Sequence, residues 1–596
     1  MNWGVVLCLV WIASVFCDVP KVDFAQDQKV PVYVNTVGNP HNPAATEEYY
    51  HFQFCKGTNQ GKGLKPGSAL AGDRVKRSPY SINFLDEVTR HDLCTRKFTG
   101  NDLEKFVLAI KEESVIEIFV DGLPTTVLVG KQFKDEREFQ DRHRHNSTHR
   151  YLYTHYDFDI LYNDRNIIAV TISPDPTKYV ELSTDMLASE ASSVTYSYSV
   201  RWDETDVLWE NRALKHIGYI KQPLEIHWIS ITNSAILAVL LTGFLSVILM
   251  RVLRKDFTRY MDQDEEIDEE FEDSGWKQVR NDVFRSPRHP MLFAAGIGNG
   301  CQILVVVTAL LILALGGTFD PGNRGTVYVT VLFLYAATAG ISGYVSAKWY
   351  RHFVGAKRSE LDWKICAVAT ASLYVLPFLG VFAVVNTVAI AYSASTAMPF
   401  INILSILLLW TVFIFPVTIF GASRGRISGE FELPCKTSRA PRQVPPSPWY
   451  KHIYLQMFMA GFLPFTAIYI ELHYVFTAVW GDRVYTLFGI LFVAFILLLL
   501  VTSFVTIVLT YFQLTIEDHR WWWRALISGG STGLFVYAYA IFFFAYRSEM
   551  SGVLQGTFFF GYVAMISYAF FLMLGAVGFL SSFQFIKYIY GVIKSD

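Results

Sequence analysis

The chain has 596 residues, of which 52% are apolar, 16% aromatic and only 17% charged. Its formal net charge is −2 and it carries no basic stripe with interleaved aromatics, so nothing points to nucleic-acid binding. The apolar residues are unevenly spread, and the sequence divides into one soluble region followed by one membrane region.

Residues 1–17 form a short apolar run ending in Val15-Phe16-Cys17. The run is too short to cross a bilayer and reads as a cleaved signal peptide, although it lacks a Lys or Arg near its start. Residues 18–222 read as β-rich. Val30, Val32 and Val34 alternate, as do Tyr156, Phe158, Ile160 and Tyr162, then Ile168, Val170 and Ile172, then Val194, Tyr196, Tyr198 and Val200. Period-two alternation marks half-buried strands. Asp121-Gly122 between two such runs predicts a hairpin over 115–129. One helix is expected where Leu103, Phe106, Val107 and Ile110 follow the helical spacing, with Asn101 or Asp102 as its cap. A sandwich-like lumenal domain fits this pattern.

Of seven cysteines, Cys8 and Cys17 fall in the signal, Cys301 and Cys366 in apolar spans, and Cys435 in a cytosolic loop. Cys55 and Cys94 alone share an oxidising compartment, which predicts a disulfide between them. Asn146-Ser147-Thr148 is a glycosylation sequon. His143, His145 and His149 surround it, but no Cys or carboxylate completes a tetrahedral metal site, so they read as solvated. Arg74-Val75-Lys76-Arg77 resembles a proprotein-convertase site and is taken as an exposed basic turn, with cleavage after Arg77 as the alternative.

Residues 228–250 hold no charge and are long enough to span a bilayer. Arg251, Arg254, Lys255 and Arg259 crowd the far end, which the positive-inside rule assigns to the cytosol. The loop 251–290 is cytosolic, with nine acids among the twelve residues from Asp262 to Asp273. Such a block is usually a solvated linker, with docking of cytosolic partners as its functional reading. Eight further apolar runs occupy 291–583, near 291–315, 327–347, 365–391, 399–421, 453–479, 485–511, 525–545 and 558–583. The fold class is therefore an α-helical multi-pass membrane protein of nine spans, with the β-rich domain lumenal and residues 584–596 a cytosolic tail. Lys plus Arg number 23 in the connections assigned to the cytosol and 3 in the short lumenal ones, in agreement with this topology.

Pro377, Pro416 and Pro464 interrupt spans, and Leu376-Pro377-Phe378 and Leu463-Pro464-Phe465 hint at an internal repeat. Broken helices in paired positions can mark a transport site. Glu471 lies mid-span, where a carboxylate is costly unless paired, protonated or hydrated, and such a residue is functional by default. His473, two residues on, points elsewhere on the helix, which leaves Asn386, Asn402 and Gln302 as candidate partners. Gly296, Gly298 and Gly300 sit inside a span and suit close helix packing, not a nucleotide loop. Small-residue faces there and at Ser342-Gly343 also suit recognition of another protein's span. Trp521-Trp522-Trp523 between two arginines is expected to anchor at the membrane interface. No nucleophile elbow, Walker loop, zinc signature or cofactor fingerprint is present, so an enzyme is not expected.

Lys594 and Asp596 close the chain as a compact charged recognition point. Tyr590-Gly591-Val592-Ile593 fits an adaptor signal but lies too near the membrane to be read.

The chain resembles the nonaspanins, the transmembrane nine superfamily, over nearly its whole length. The resemblance rests on residues 32–38 with His41-Asn42-Pro43, on 226–228 through Asn233-Ser234, and on 248–254. It continues in Gly275-Trp276-Lys277, in Asp282-Val283-Phe284-Arg285, and in Gly461-Phe462-Leu463-Pro464-Phe465. Tyr511-Phe512-Gln513-Leu514, residues 520–524 and Phe560-Gly561-Tyr562 complete it. It implies a Golgi and endosomal protein that sorts and delivers other membrane proteins, including ones with glycine-rich spans, with links to autophagy and adhesion. It also implies that Lys594 and Asp596 are read by the COPI coat. The rival reading, motivated by Glu471 and the broken spans, is a proton- or ion-coupled transporter or channel. Expected partners are therefore membrane lipids, cargo spans and the coat, with no nucleic acid.

Overall fold

The computed structural model describes residues 21–57, 70, 72–134, 148–182, 192–212, 215–216, 228–265, 275–319, 324–429, 431–444, 452–480 and 488–592. The signal segment 1–17, Asn146 with His143 and His145, most of the acidic block, and Lys594 and Asp596 lie outside the described residues.

The N-terminal region contains strands β1 (Lys29–Val30), β2 (Val32–Gly38), β3 (Thr46–Glu48), β4 (Lys76–Arg77), β5 (Ile82–Asn83) and β6 (Val88–Phe98). Helix α1 (Gly100–Lys111) follows, then β7 (Val115–Val120), β8 (Leu123–Leu128), β9 (Gly130–Lys134) and β10 (Thr148–Tyr153). The last four are β11 (His155–Asn163), β12 (Asn166–Pro174), β13 (Tyr179–Glu181) and β14 (Ser192–Glu204). Two sheets carry the domain, one in the order β3-β2-β7-β8 with β4 also paired to β2, the other β12-β11-β14-β6. Their inward faces share one core in which Val34, Ile118, Phe158, Val170 and Tyr198 are buried. The alternation along β11 and β14 follows from having one face in that core. In β12 the residues 166–170 are buried on both faces. Buried His216 accepts from the Val170 N–H (3.2 Å) and donates through Nε2 to the Pro124 carbonyl (2.8 Å), tying β12 to β8.

The hairpin turn is Asp121 (φ 48°) and Gly122 (φ 77°), the pair of left-handed residues that a two-residue turn needs. Helix α1 is capped by Thr99, not by Asn101 or Asp102. Asp102 is its third residue and accepts from the Thr99 N–H (3.1 Å) and hydroxyl (2.6 Å). Cys55 and Cys94 form a disulfide that fastens the segment after β3 to β6. Lys76 and Arg77 are not in a loose turn. They pair with Val34 and Tyr33 of β2, and a proteolytic site requires a backbone that is not already bonded.

Among the described residues nine helices are long and apolar enough to cross a membrane: Thr232–Thr258, Pro290–Leu315, Gly325–Val354, Asp362–Ala391, Phe400–Gly425, Ile453–Trp480, Phe488–Leu514, Trp521–Tyr546 and Val553–Val592 (spans 1 to 9). Spans 2 and 8 form the middle, with 67% and 61% of their most apolar windows buried, whereas spans 1 and 5 have 11% and lie outside. The β-rich domain meets the starts of spans 5 and 9, which defines the domain side of the bundle; the other end is the far side.

Several spans are irregular, and each irregularity has a local cause. Span 4 breaks at Tyr374, three residues before Pro377. The freed Leu373 carbonyl accepts from the Tyr568 hydroxyl (3.2 Å), and the Thr370 carbonyl one turn earlier accepts from Asn299 (2.8 Å). Span 5 contains a π-turn over Trp410–Ile414 just before Pro416. Pro464 sits inside one continuous helix, so the two Leu-Pro-Phe segments occupy unlike settings and the suggested repeat fails.

The glycine faces are used within the bundle. A Cβ on Gly421 would strike the Gly340 carbonyl, one on Gly425 the Tyr344 carbonyl, and one on Gly343 the Thr418 carbonyl, so spans 3 and 5 touch backbone to backbone. Gly298 meets Ser342 of span 3 in the same way, and Gly300 meets Leu572 of span 9. These faces are therefore unavailable to another protein's span. Gly421→Leu is expected to separate spans 3 and 5 and to destabilise the detergent-purified protein by about 1–3 kcal/mol. Thermal unfolding followed by size exclusion measures this, and a melting temperature equal to the parent's contradicts it.

Candidate functional site

The two ends of the bundle carry most of the polar organisation. On the domain side, the β2–β3 connection and the strand after it grip the link between spans 4 and 5. The Ser395 N–H donates to the Thr46 carbonyl (2.8 Å), and the two hydroxyls meet at 2.5 Å. The Thr396 hydroxyl donates to the Ala44 carbonyl (3.0 Å), and Arg74 donates to the Ala397 carbonyl (2.5 Å). The same connection reaches the start of span 9. There buried Gln555 accepts from the Ala44 N–H (2.8 Å) and Asn42 accepts from the Ser551 N–H (2.9 Å). Glu48 steadies the grip by pairing with Lys76 (2.8 Å) and Arg74 (3.7 Å). Those two cations hold its carboxyl below the usual carboxylate range against the opposing effect of burial. The basic run 74–77 is thus part of an internal joint.

On the far side, residues 275–289 fold back beneath the bundle in place of a free loop. Trp276 is fully buried and donates to Asp256 on the extension of span 1 (3.2 Å). Tyr511 donates to the same carboxylate, and Tyr590 donates to the Trp276 carbonyl (2.6 Å). Trp521 and Trp522 are also buried. Trp521 donates to the Val283 carbonyl (2.8 Å), Trp523 donates to the Arg288 carbonyl (2.7 Å), and the rings pack on Phe293, Phe579 and Phe583. The expected interfacial anchor is therefore the core of the far-side cap. Asp282 organises the polar rim, accepting from Arg285 (2.6 Å), the Ser438 hydroxyl (2.8 Å) and the Arg442 N–H (3.1 Å). Residue 583 is not where span 9 stops. The helix runs to Val592, burying Ile586, Ile589 and Tyr590. A Tyr590 held in this way is closed to an adaptor.

The intramembrane polar residues expected to act together are dispersed. Glu471 is buried on span 6. His473, on another face of that helix, bonds Tyr539 of span 8 through Nδ1 (3.0 Å). Asn386 accepts from the Met398 N–H (2.7 Å) and closes the span 4–5 turn. Gln302 donates to the Tyr335 carbonyl (2.9 Å). Asn402 is half-buried at the start of span 5. In the β-rich domain His149 pairs with Glu181 (2.5 Å) instead of standing free in a loop. His155, Asp157 and Asp175 come close enough together to suggest a metal, but their donors are engaged. His155 bonds Ser197 (2.7 Å) and Asp157 (3.3 Å), Asp157 accepts from Ser199, and Asp175 accepts from Thr177 and Lys178. The group reads as a satisfied polar network.

Comparison with known proteins gives this architecture a family. The model of the family described as Endomembrane protein 70 matches residues 46–553. The chain belongs to that family. It is 41% identical to transmembrane 9 superfamily member 4 of Arabidopsis thaliana, covering 99% of this chain and 98% of the relative. It is 42% identical to member 2 of the same plant, covering 96% and 95%, and 41% identical to member 1 of Mus musculus, covering 95% and 93%. No solved structure matches it.

In this Endomembrane protein 70 chain, the stretches that carry the resemblance fall largely at the two ends of the bundle. His41-Asn42-Pro43 lies in the domain-side joint, while 275–277, 282–285 and 520–524 build the far-side cap. Asn299 and Gln555 escaped sequence reasoning, although an amide within an apolar run was the available signal. Trp276 and Asp282 stand in stretches that carry the resemblance, but their structural roles are recognisable only once their distant partners are in place. Asp282→Ala is expected to cost about 1–3 kcal/mol locally by leaving Arg285, Ser438 and the Arg442 N–H without their acceptor. Limited trypsin digestion should then cut faster at Arg439 and Arg442, and an unchanged rate would count against the hub.

Proposed function

We propose that the protein sorts and delivers other membrane proteins in Golgi and endosomal membranes, without catalysis, by reading their spans from the side. In this reading the β-rich domain is lumenal and the tail cytosolic, in line with the Lys and Arg asymmetry. Membership in a family described as endomembrane proteins supports the location.

The observation that carries the mechanism is the first half of span 5. None of the residues Phe400–Leu409 is buried, yet both ends of the span are held. The domain-side joint fixes the residues just before it, and Gly421 and Gly425 fix its other end to span 3. Ile401, Leu404, Leu408 and Val412 form an outward stripe, 65%, 39%, 53% and 57% exposed. A glycine-rich cargo span lacks side chains along one face and leaves a groove into which such a ridge packs. Bulky ridge against small-residue groove replaces the small-against-small contact expected from the sequence. Any link to autophagy or adhesion would follow from which receptors are delivered. The transport reading keeps buried Glu471 in its favour, but Ile468, Leu498, Val536 and Leu572 pack into one buried cluster beside it, which favours a solid bundle.

Leu404→Ala with Leu408→Ala should lower surface delivery of a cargo with a glycine-rich span, measured by cell-surface labelling, at unchanged amounts of the variant. Unaltered delivery would sink the ridge. Lys594→Ser with Asp596→Ala should move the protein out of the Golgi by microscopy, and continued Golgi residence would remove the coat from the account.

A further inference from the structure

We propose that a cavity between spans 6 and 8 on the domain side binds the headgroup of an anionic phospholipid, with an acyl chain running down an aromatic groove below it. The site is independent of the sorting role. The cavity, about 140 Å³, is walled by Tyr469, Ile470, His473, Tyr474 and Arg547. One enclosed water needs roughly 10–15 Å³ by the same measure, so a phosphate with its substituent fits.

Depth favours a lipid. Span 6 ends at Trp480 and span 8 at Tyr546. Tyr474 and Tyr469 therefore lie roughly 9 and 16 Å below the end of span 6, at 1.5 Å per residue. With a hydrocarbon half-thickness of about 15 Å, the cavity reaches from the headgroup level into the acyl region.

Charge points to an anion. Among the described residues Arg547 is the one of fixed charge in the wall, and no described acid lines the cavity with it. Of the nearby acids, Glu549 pairs with His41 (3.4 Å), and Glu471, although next to Ile470 in sequence, is buried and does not line the space. A guanidinium at the membrane boundary is stabilised by a counter-charge, and phosphate suits its planar fork. The Tyr469 phenol adds a neutral donor. The His473 ring is held through Nδ1 by Tyr539 (3.0 Å).

Below the cavity the seam between the two spans is aromatic. Tyr469 of span 6 is 40% exposed and meets Phe465 one turn below it at 6.0 Å, and Phe465 packs on Phe535 of span 8 at 5.9 Å. These rings make an apolar track at helical spacing, continuous with a polar head site, as a two-part amphiphile requires.

The test is native mass spectrometry of the detergent-purified full chain titrated with phosphatidylinositol or phosphatidylcholine. One phosphatidylinositol should bind about tenfold more tightly than phosphatidylcholine. Arg547→Gln should weaken it roughly fivefold, the effect of one cation near a membrane surface, whereas Arg424→Gln on the far side should not. Ile470→Trp, which fills the cavity and keeps the charge, should also abolish binding and guards against misfolding of the arginine variant. Equal affinity for the two lipids, full retention by either cavity variant, or displacement by millimolar inorganic phosphate would overturn the proposal.

Discussion

Helices in hydrocarbon gain little by hiding apolar surface from lipid, which is equally apolar. What holds this bundle is contact close enough for backbone to meet backbone. Gly340, Gly343, Gly421 and Gly425 bring spans 3 and 5 to that distance, and Gly298 and Gly300 do the same for span 2 against its two neighbours. Many small dispersion gains then accumulate along each seam. The interruption of span 4 is tolerated for a related reason, because Tyr568 and Asn299 engage carbonyls at and near the break.

The two ends solve different problems. The domain-side joint is polar and made largely of single hydrogen bonds from short side chains and backbone, so each contact contributes little and the joint as a whole is specific in geometry. The far-side cap is aromatic and deeply buried, with Trp276, Trp521 and Phe293 fully enclosed. It locks the ends of spans 1 and 9 into one block.

Between these ends, stiffness and exposure are divided among the spans. Spans 2 and 8 have most of their apolar windows buried against protein and span 9 half, whereas spans 1 and 5 have little of theirs buried. Span 5 is joined to the extramembrane domain through Ser395 and its neighbours. A change in how that domain sits would therefore be felt by the helix that carries the exposed outward stripe of Ile401, Leu404, Leu408 and Val412. The aromatic seam of spans 6 and 8 belongs to the other side of the same division, a place where lipid meets buried polar groups.

The sequence by itself determined the division into a β-rich domain and nine spans, the hairpin at Asp121-Gly122, and the presence of a buried carboxylate at Glu471. Those features follow from hydropathy, period and turn chemistry, which act between residues near in the chain. It read Trp521-Trp522-Trp523 as an interfacial anchor and took residues 74–77 for an exposed turn. It left the small-residue faces open to two partners, a neighbouring helix of the same bundle or another protein's span. Each of those depended on what arrived from far along the chain: Val283 beneath Trp521, Tyr33 and Val34 beside Lys76 and Arg77, and the Gly340 carbonyl against Gly421. A tryptophan or a glycine has the same local preferences whether lipid, solvent or another helix faces it, so only the tertiary structure could decide which.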